Sequence, residues 1–354
     1  MALPIGTSFE PMNALLVSDL PTAGGDWQYE PKWDGFRCLA FRDGNSVELR
    51  SKSGQPLARY FPEIVAALLD VGTTRFVLDG ELVIPEGVGL SFDALLQRIH
   101  PSASRITKLS TQTPAVLIVF DFLVDDRGKS LVEAPLRERR ERLEAFAARY
   151  LTNHDRFALS PATAHRATAR RWLSGVGGAL DGVIAKRANL PYQSGNREGM
   201  VKVKQLRTAD CVVGGFRYAS KQKGLVGSLL LGLYDKQGLL NHVGFCSSFK
   251  TEERKKLAAI VGPLINPPGF TGQAPGGPSR WSTERSTEWQ PLAPKLVVEV
   301  QYDHFTGGRF RHGTRFLRWR PDKAPRQCLE SQVIRESTVS SLRLLSGRGS
   351  KLAG

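Results

Sequence analysis

The chain has 354 residues, enough for two domains with sizeable cores, and at 41% apolar and 23% charged its composition is that of an ordinary globular protein. No apolar run reaches the roughly 18 residues that a membrane helix needs, and the start, MALPIGTSFEPMNALL, has no basic segment ahead of its apolar residues, so neither a spanning helix nor a secretory signal is expected. The formal charge of +15 favours a polyanionic partner, nucleic acid before an acidic membrane. Cys38, Cys211, Cys246 and Cys328 form no CxxC pair and the histidines show no ligand spacing, which points to buried thiols in a reducing compartment and away from a zinc site.

In chain order, YEPKWDGFRCLAF (Tyr29 to Phe41) reads as a strand, yet it carries Lys32 among Glu30, Asp34 and Arg37. A charge in such a setting must be paired or put to use. FRCLAFRDGNSVELR is two alternating runs around an Asp43-Gly44 turn, a hairpin. FVLDGELVI and AVLIVFDFLV are apolar enough for buried strands. LRERRERLEAFAARYL predicts an amphipathic helix with Leu136, Leu143, Phe146, Ala147 and Tyr150 on one face, and ATAHRATARRWLSGVGG a second helix closed by glycines. DGVIAKR and GMVKVKQL follow as short strands. Helices do not alternate regularly with strands, so the expected class is α+β and not a doubly wound sheet. From about Arg207 the texture becomes five strands and one short helix, TEERKKLAAIVG, the inventory of a small, partly open barrel such as the OB-fold. A Pro/Gly-rich loop from Pro263 to about Pro291 is long enough to be functional or mobile, and SGRGSKLAG reads as a frayed tail.

A lysine amine attacks only when neutral, and neighbouring cations with partial desolvation favour that form. Lys186, Lys202, Lys204 and a divalent metal are the candidates, whereas Glu30 and Asp34 are suited to orienting a ligand or a cation. On its own KxDGxR is weak, and a solvated strand-edge lysine would be the plain reading. More follows in a fixed order. Arg50 ends the second hairpin strand in LRSKSG. Asp79 and Glu81, two apart in LDGEL, share a strand face and need a metal, hydroxyls or cations for company. Phe120 stands beside Asp121 in VFDFL, DGVIAKR supplies Asp181 and Lys186, and Lys202 and Lys204 share a face that is costly without an anion. RWRPDK adds Arg318, Arg320, Asp322 and Lys323. Taken singly, the carboxylate pair would serve a structural salt bridge as readily, and Phe120 the core.

Together these stretches resemble the ordered motifs of the covalent nucleotidyltransferase superfamily, which comprises ATP-dependent DNA ligases, RNA ligases and mRNA capping enzymes. KWDGFR resembles motif I, RSKSG motif Ia, LDGEL motif III, VFDFL motif IIIa, DGVIAK motif IV, VKVK motif V and RPDK motif VI. The run LVVEVQYDHFTGGRFRHGTRFLRWRPDK resembles the bacterial ATP-dependent DNA ligase C group, and the likeness spans Glu30 to Cys328. The resemblance implies an adenylyltransferase domain over 1–206, built of ATP-grasp-like antiparallel sheets with helices, an OB-fold β-barrel domain over 207–345 and a flexible tail over 346–354. Nothing long enough for a further DNA-binding domain precedes Glu30, so a minimal two-domain form is expected.

The implied activity is ATP-dependent sealing of nicks in duplex DNA through lysyl-AMP and DNA-adenylate intermediates, in DNA repair. Lys32 would attack the α-phosphate of ATP. Glu30 would sit by the adenine with Phe120 stacked on it, and Arg37 and Glu81 would hold the ribose. Lys202 and Lys204 would meet the α-phosphate, with Lys186 also binding nucleotide. Arg50 would contact the ribose or the 5′-phosphate of the nick, and Asp181 with Glu81 would bind Mg²⁺ or Mn²⁺. Arg320, Asp322 and Lys323 would orient the leaving pyrophosphate from the barrel, which would close and then swing away about a hinge near Gln205 to Asp210. Asp181 stands where ligases usually carry Glu. The turn YDKQGLL is too short for a DNA-encircling latch, which leaves DNA to the basic faces, RYASKQKG and the Pro/Gly loop. The resemblance further implies a monomer in the bacterial cytoplasm at the nucleoid, no membrane, and a DNA-repair polymerase or end-binding protein as partner. The alternatives are an RNA or mixed-strand ligase, a capping-type nucleotidyltransferase and a non-catalytic DNA-end binder. RSKSG and the C-terminal run argue against capping, and intact motifs I and VI against the binder.

Overall fold

The computed structural model describes residues 3–22, 26–87, 89–175, 180–219, 224–276, 288–334 and 344–345. Contacts divide them into two compact units, with the break after Gln205. In chain order the strands of the first unit are β1 (Leu15–Leu16), β2 (Trp27–Lys32), β3 (Phe36–Asp43), β4 (Ser46–Ser51), β5 (Arg75–Val83), the short pair β6 (Pro85–Glu86) and β7 (Gly89–Leu90), β8 (Val116–Val124), β9 (Phe157–Leu159), β10 (Gly182–Arg187) and β11 (Met200–Val203). Its helices are α1 (Pro62–Asp70), α2 (Phe92–Arg98), α3 (Ala103–Gln112), α4 (Leu136–Tyr150) and α5 (Arg166–Gly175).

Two sheets carry this unit. One has the order β4-β3-β5-β8-β9, the other β1-β11-β10-β2. Strand alternation assigns each residue to a face. In the five-stranded sheet Cys38, Ala40, Leu78, Leu82, Leu117 and Val119 point to one side, where Ile64 and Leu68 of α1 and Leu143 and Phe146 of α4 complete a core. The opposite face carries Leu39, Phe41 and Val77, which pack with Met12 and Met200. In the four-stranded sheet Tyr29, Val183, Ala185 and Val203 bury themselves with Ala169 and Trp172 of α5. That alternation leaves Glu30, Lys32, Ile184, Lys186, Met200 and Lys202 on the remaining face, which lines a pocket.

Helix α4 spans the expected residues, but its buried stripe is not purely apolar. Arg139 and Arg140 are buried beside Leu136, Leu143, Phe146 and Ala147, and Tyr150 is half-buried. The spacing explains it, since positions three and four after Leu136 fall on the same helix face. Close backbone approach demands glycine at two points near the pocket. A Cβ on Gly35 would lie 2.1 Å from the Leu82 carbonyl, and one on Gly182, whose φ is +141°, would lie 2.0 Å from that of Val203.

The second unit begins at Leu206. It contains β12 (Arg207–Tyr218), β13 (Val226–Tyr234), β14 (Leu240–Cys246), α6 (Thr251–Val261), β15 (Gln290–Pro291), β16 (Val297–Tyr302), β17 (Phe305–Thr306), β18 (Arg309–Phe310) and β19 (Arg315–Trp319). The long strands run β14-β13-β12-β16-β19, and a parallel bridge between Cys246 and Thr314 brings the two edges together as a partly open barrel. This is the expected five strands and helix of an OB-fold. The loop after Pro263 is anchored: Phe270 is buried in the barrel core and Trp289 packs against it, while residues 277–287 lie outside those described. So do 220–223 of RYASKQKG and the tail 346–354.

Two boundaries differ from expectation. Leu344 and Leu345 pack in the core of the first unit with Leu20, Trp172 and Leu180, not in the barrel. The hinge span also runs too far: Arg207 to Asp210 are already paired with Tyr302 to Glu299 in β12–β16, so only Lys204 to Leu206 fall between strands. All four cysteines are buried and free. Among the described residues no helix is long and apolar enough to cross a membrane.

Gly182→Ala places a methyl group on backbone that cannot retreat, at a φ that L side chains avoid. We expect a loss of about 3 kcal/mol in unfolding free energy, read from denaturant titration, and a Gly182→Ala protein as stable as wild type would show the β10–β11 approach to be looser than described.

Candidate active site

The pocket lies between the free faces of the two sheets. Glu30, Lys32, Ile184, Lys186, Met200 and Lys202 come from one, Arg37, Glu81 and Phe120 from the other, and Met12 to Ala14, Trp33 and Lys52 complete its lining. Register makes the rows. Glu30 pairs with Ile184 and Ile184 with Lys202, so the three form one rung, and Lys32 pairs with Gly182 on the next. Trp33 fixes the end of β2 by donating from Nε1 to Ser160 Oγ at 2.9 Å.

Lys32 is partly exposed, and its Nζ forms an ion pair with Asp181 Oδ2. The Asp181 amide in turn donates to the Lys32 carbonyl at 2.9 Å. Lys204 reaches the other oxygen of Asp181 at 3.6 Å. Lys202 joins this group: burial, and then the charges of Lys32, Lys52 and Lys204, lower its pKa below the ordinary lysine value. Four amines, two of them paired with Asp181, leave an excess of positive charge suited to a phosphate.

Lys186 stands apart from them. Its Nζ pairs with Glu30 Oε2 at 2.9 Å, both side chains being about 3% exposed, and Glu30 Oε1 accepts from Gln28 Nε2 at 2.7 Å. Its charge is thus spent on Glu30, and it does not add to the cations about Lys32. Lys186 Nζ also lies 4.6 Å from the centroid of the Phe120 ring, as does the Arg37 guanidinium. Phe120 reaches the pocket because β8 bulges there. Asp79 pairs with Asp121 but Gly80 pairs with Val119, which leaves Phe120 as an extra residue in an otherwise core strand.

Asp79 and Glu81 find the company that the sequence demanded. Asp79, fully buried, receives Arg37 Nε at 2.5 Å and NH2 at 2.6 Å, together with the Tyr192 hydroxyl at 2.6 Å. Burial opposes the Arg37 charge, but the Asp79 carboxylate outweighs it and holds the Arg37 pKa above the ordinary value. Among the described residues Glu81 has no such partner. Burial pushes its pKa up to about 7 against the pull of Lys32 and Arg37, with Asp34 and Asp79 adding to the rise. Asp121 is met by Arg139 from α4, Nε at 2.7 Å and NH2 at 3.0 Å.

Arg50 is not brought into this lining. It lies on the pocket-side face of β4 opposite Leu39, pairs with Glu48 at 3.1 Å, and reaches the Gly54 carbonyl at 3.4 Å. The RSKSG residue that does line the pocket is Lys52, two places further along, in the turn just past the end of β4. Arg320, Asp322 and Lys323 cluster in the second unit around Asp210, which accepts Arg320 NH1 at 2.9 and 3.1 Å and Lys323 Nζ at 2.7 Å. Arg320 also donates to Asp322 at 2.8 Å, and that contact raises the Arg320 pKa and draws Asp322 down to about 2. Asp210, read as part of the hinge, is the anchor of this group.

For a metal, the described residues offer no cluster of three acidic, histidine or cysteine side chains. Asp181 and Glu81 supply separate carboxylates, the donor type and number that Mg²⁺ takes when phosphate oxygens and water complete its shell.

The sheets are mixed and not wholly antiparallel as expected, since β1 runs parallel to β11 and β9 to β8. A cleft of amines beside a bulged aromatic ring, set on two such sheets and followed in the chain by a β-barrel, defines a nucleotidyltransferase. The description "ATP dependent DNA ligase domain" fits residues 11–204, and "ATP dependent DNA ligase C terminal region" fits residues 222–323. DNA ligase C of Mycobacterium tuberculosis is 43% identical over 98% of this chain and 99% of its own. DNA ligase C1 of Mycolicibacterium smegmatis is 46% identical over 94% and 96%. Among solved structures, that from a study of Lig E DNA ligases shares the fold, with a TM-score of 0.54 at 18% identity over 87% of this chain and all of the other. The chain belongs to the ATP-dependent DNA ligase family.

Glu81 gives a pH test. Its folded value of about 7 exceeds the ordinary 4.5, so between those values the folded state binds more protons than the unfolded one and stability falls as pH rises. Glu81→Gln removes that loss. Relative to wild type its unfolding free energy should gain up to about 3 kcal/mol from pH 4.5 to 7.5, measured by denaturant titration across that range. A difference that stays flat with pH would show Glu81 to be ionised throughout.

Proposed function

We propose that this ligase seals nicks in duplex DNA with Lys32 as its nucleophile, and the observation that carries the reading is the setting of that amine. Lys32 ends β2 in a pocket whose lining also holds Lys202 and the Phe120 ring, and it pairs with Asp181, which Lys204 also reaches. In the first step the neutral Lys32 amine forms an N–P bond to the α-phosphate of ATP, and the nitrogen gives up one proton to water as the phosphoramidate forms. The bond from that phosphorus to the bridging oxygen breaks, and pyrophosphate leaves with the electron pair. Lys202 and Lys204 offset the charge that builds on the α-phosphate oxygens. Phe120 and Ile184 give the adenine apolar surface, Glu30 fixed by Lys186 gives it a polar edge, and Arg37 fixed by Asp79 faces the ribose. The AMP then passes to the 5′-phosphate of the nick, and the 3′-hydroxyl displaces it. Asp181 and Glu81 would hold Mg²⁺, which supplies charge neutralisation at the phosphates when bound.

The finer assignments share this reading. Arg320, Asp322 and Lys323 act on the pyrophosphate in the first step. The protein works as a monomer at the nucleoid in strand-break repair, alongside a repair polymerase or an end-binding protein. Similarity to the multifunctional non-homologous end joining DNA repair protein LigD of M. tuberculosis, 31% identical over 93% of this chain and 40% of that protein, supports the repair setting.

Incubation with ATP and Mg²⁺ should add the mass of one AMP to the wild type and nothing to Lys32→Ala, and a nicked duplex should then discharge the adduct. Wild-type protein without an adduct would refute the reading. Lys323→Ala should lose at least about tenfold in the adenylation rate while sealing a pre-adenylated nick at the wild-type rate. Equal losses in both assays would remove the motif VI residues from the first step.

A further inference from the structure

Tyr192 belongs to no motif that pointed to the site and is not in the pocket lining, yet its hydroxyl bonds to Met12 of that lining and to the carboxylate that holds Arg37. It sits between β10 and β11, where its amide donates to the Val132 carbonyl at 2.8 Å. Its ring packs on Phe9 at 5.8 Å and under the Arg139 guanidinium at 5.4 Å, and the side chain is 4% exposed. The hydroxyl donates to Asp79 Oδ2 at 2.6 Å and accepts from the Met12 amide at 3.0 Å. Asp79 is the carboxylate that grips Arg37, and Met12 opens the Met12–Ala14 segment of the lining. A single oxygen therefore ties the segment on one side of the pocket to the guanidinium on another.

We infer that Tyr192 is a positioning residue for the nucleoside end of ATP: its hydroxyl fixes Arg37 through Asp79 and the Met12–Ala14 segment through the Met12 amide, so that both reach the nucleotide already ordered. The inference rests on the nucleotide reading above. The chemistry of the joint supports it. Asp79 Oδ2 accepts from Arg37 NH2 and from the tyrosine at once, and both donors limit where the carboxylate can turn. Phenylalanine at this position keeps the ring contacts, leaves the Met12 amide without its acceptor, and frees Oδ2 on one side. Lys32 and Lys204 form ion pairs with Asp181, while the joint's hydrogen bonds go to Met12, Arg37 and Asp79, so the phosphate end of the pocket and the joint rest on different side-chain contacts.

That separation makes the test. In a Lys32→Ala background, which binds without turning over, Tyr192→Phe should weaken ATP binding about tenfold by calorimetry and leave inorganic tripolyphosphate affinity unchanged. Combined with Arg37→Lys, it should add less than its separate effect. A merely structural tyrosine would weaken both ligands alike or neither, and either result in a cooperatively unfolding Tyr192→Phe protein overturns the inference. Where Tyr192→Phe does not fold, Asp79→Asn, which cuts the same joint, is measured in its place with the same two ligands and the same criteria. Self-adenylation of the wild type, run alongside, reports on the nucleotide reading by itself: an adduct on the wild type with unchanged ATP affinity in Tyr192→Phe removes the positioning role and leaves the ligase mechanism standing.

Discussion

Asp79 and Asp121 face each other across β5 and β8 in the interior of the first unit, and two carboxylates at that spacing repel strongly where water cannot screen them. Each is met by an arginine, Asp79 by Arg37 from the neighbouring strand and Asp121 by Arg139 from α4. The Asp121 carboxyl shows the balance: burial pushes its pKa up, and Arg139 more than reverses that. Much of the pocket hangs on this compensation. Arg37 takes its direction from Asp79, Phe120 stands on the bulge beside Asp121, and Tyr192 closes the pair from outside. Removing one ion of such a pair is far costlier than the pair is worth in stability, so the arrangement fixes geometry more than it strengthens the fold. The apolar faces on either side do the latter.

Much of this was legible in the sequence because strands state their faces every second residue. Asp79 and Glu81 were placed on one face by period alone, and β5 sets them there opposite Leu39 and Arg37; of Lys202 and Lys204, read the same way, the first lies in β11 and the second just beyond its end. The hairpin at Asp43-Gly44, helix α4 and the five strands and helix of the barrel were also readable from turn chemistry and alternation.

What escaped did so for identifiable reasons. The bulge at Phe120 breaks the period, so alternation alone cannot show that Phe120 and Asp121 both turn away from the Leu117–Val119 core. Arg139 and Arg140 looked like the wet side of a charged helix, although their spacing from Leu136 and Leu143 already put them on its buried stripe; an arginine on such a stripe signals a buried carboxylate elsewhere. Lys52 was passed over for Arg50 because it lies just past the end of β4, in the turn, where strand alternation no longer says which way a side chain points. Asp210 was hidden by its place at a domain boundary, where it looked like linker, though it holds Arg320 and Lys323 from more than a hundred residues away.

The bulge has an evolutionary side. A residue that is extra to the β5–β8 ladder contributes its side chain to the pocket without setting the register of either strand. Exchanging Phe120 for another aromatic or a large aliphatic residue changes the surface offered to a base and leaves the neighbouring pairs, Asp79 with Asp121 and Gly80 with Val119, where they were. Glu30, Lys32, Arg37 and Lys186 in the same lining lack that freedom, being tied to counter-ions. With Phe120 against the base as proposed, drift in nucleobase preference within this architecture has an inexpensive route at one site, and descendants that came to favour a different nucleotide would be expected to differ there first.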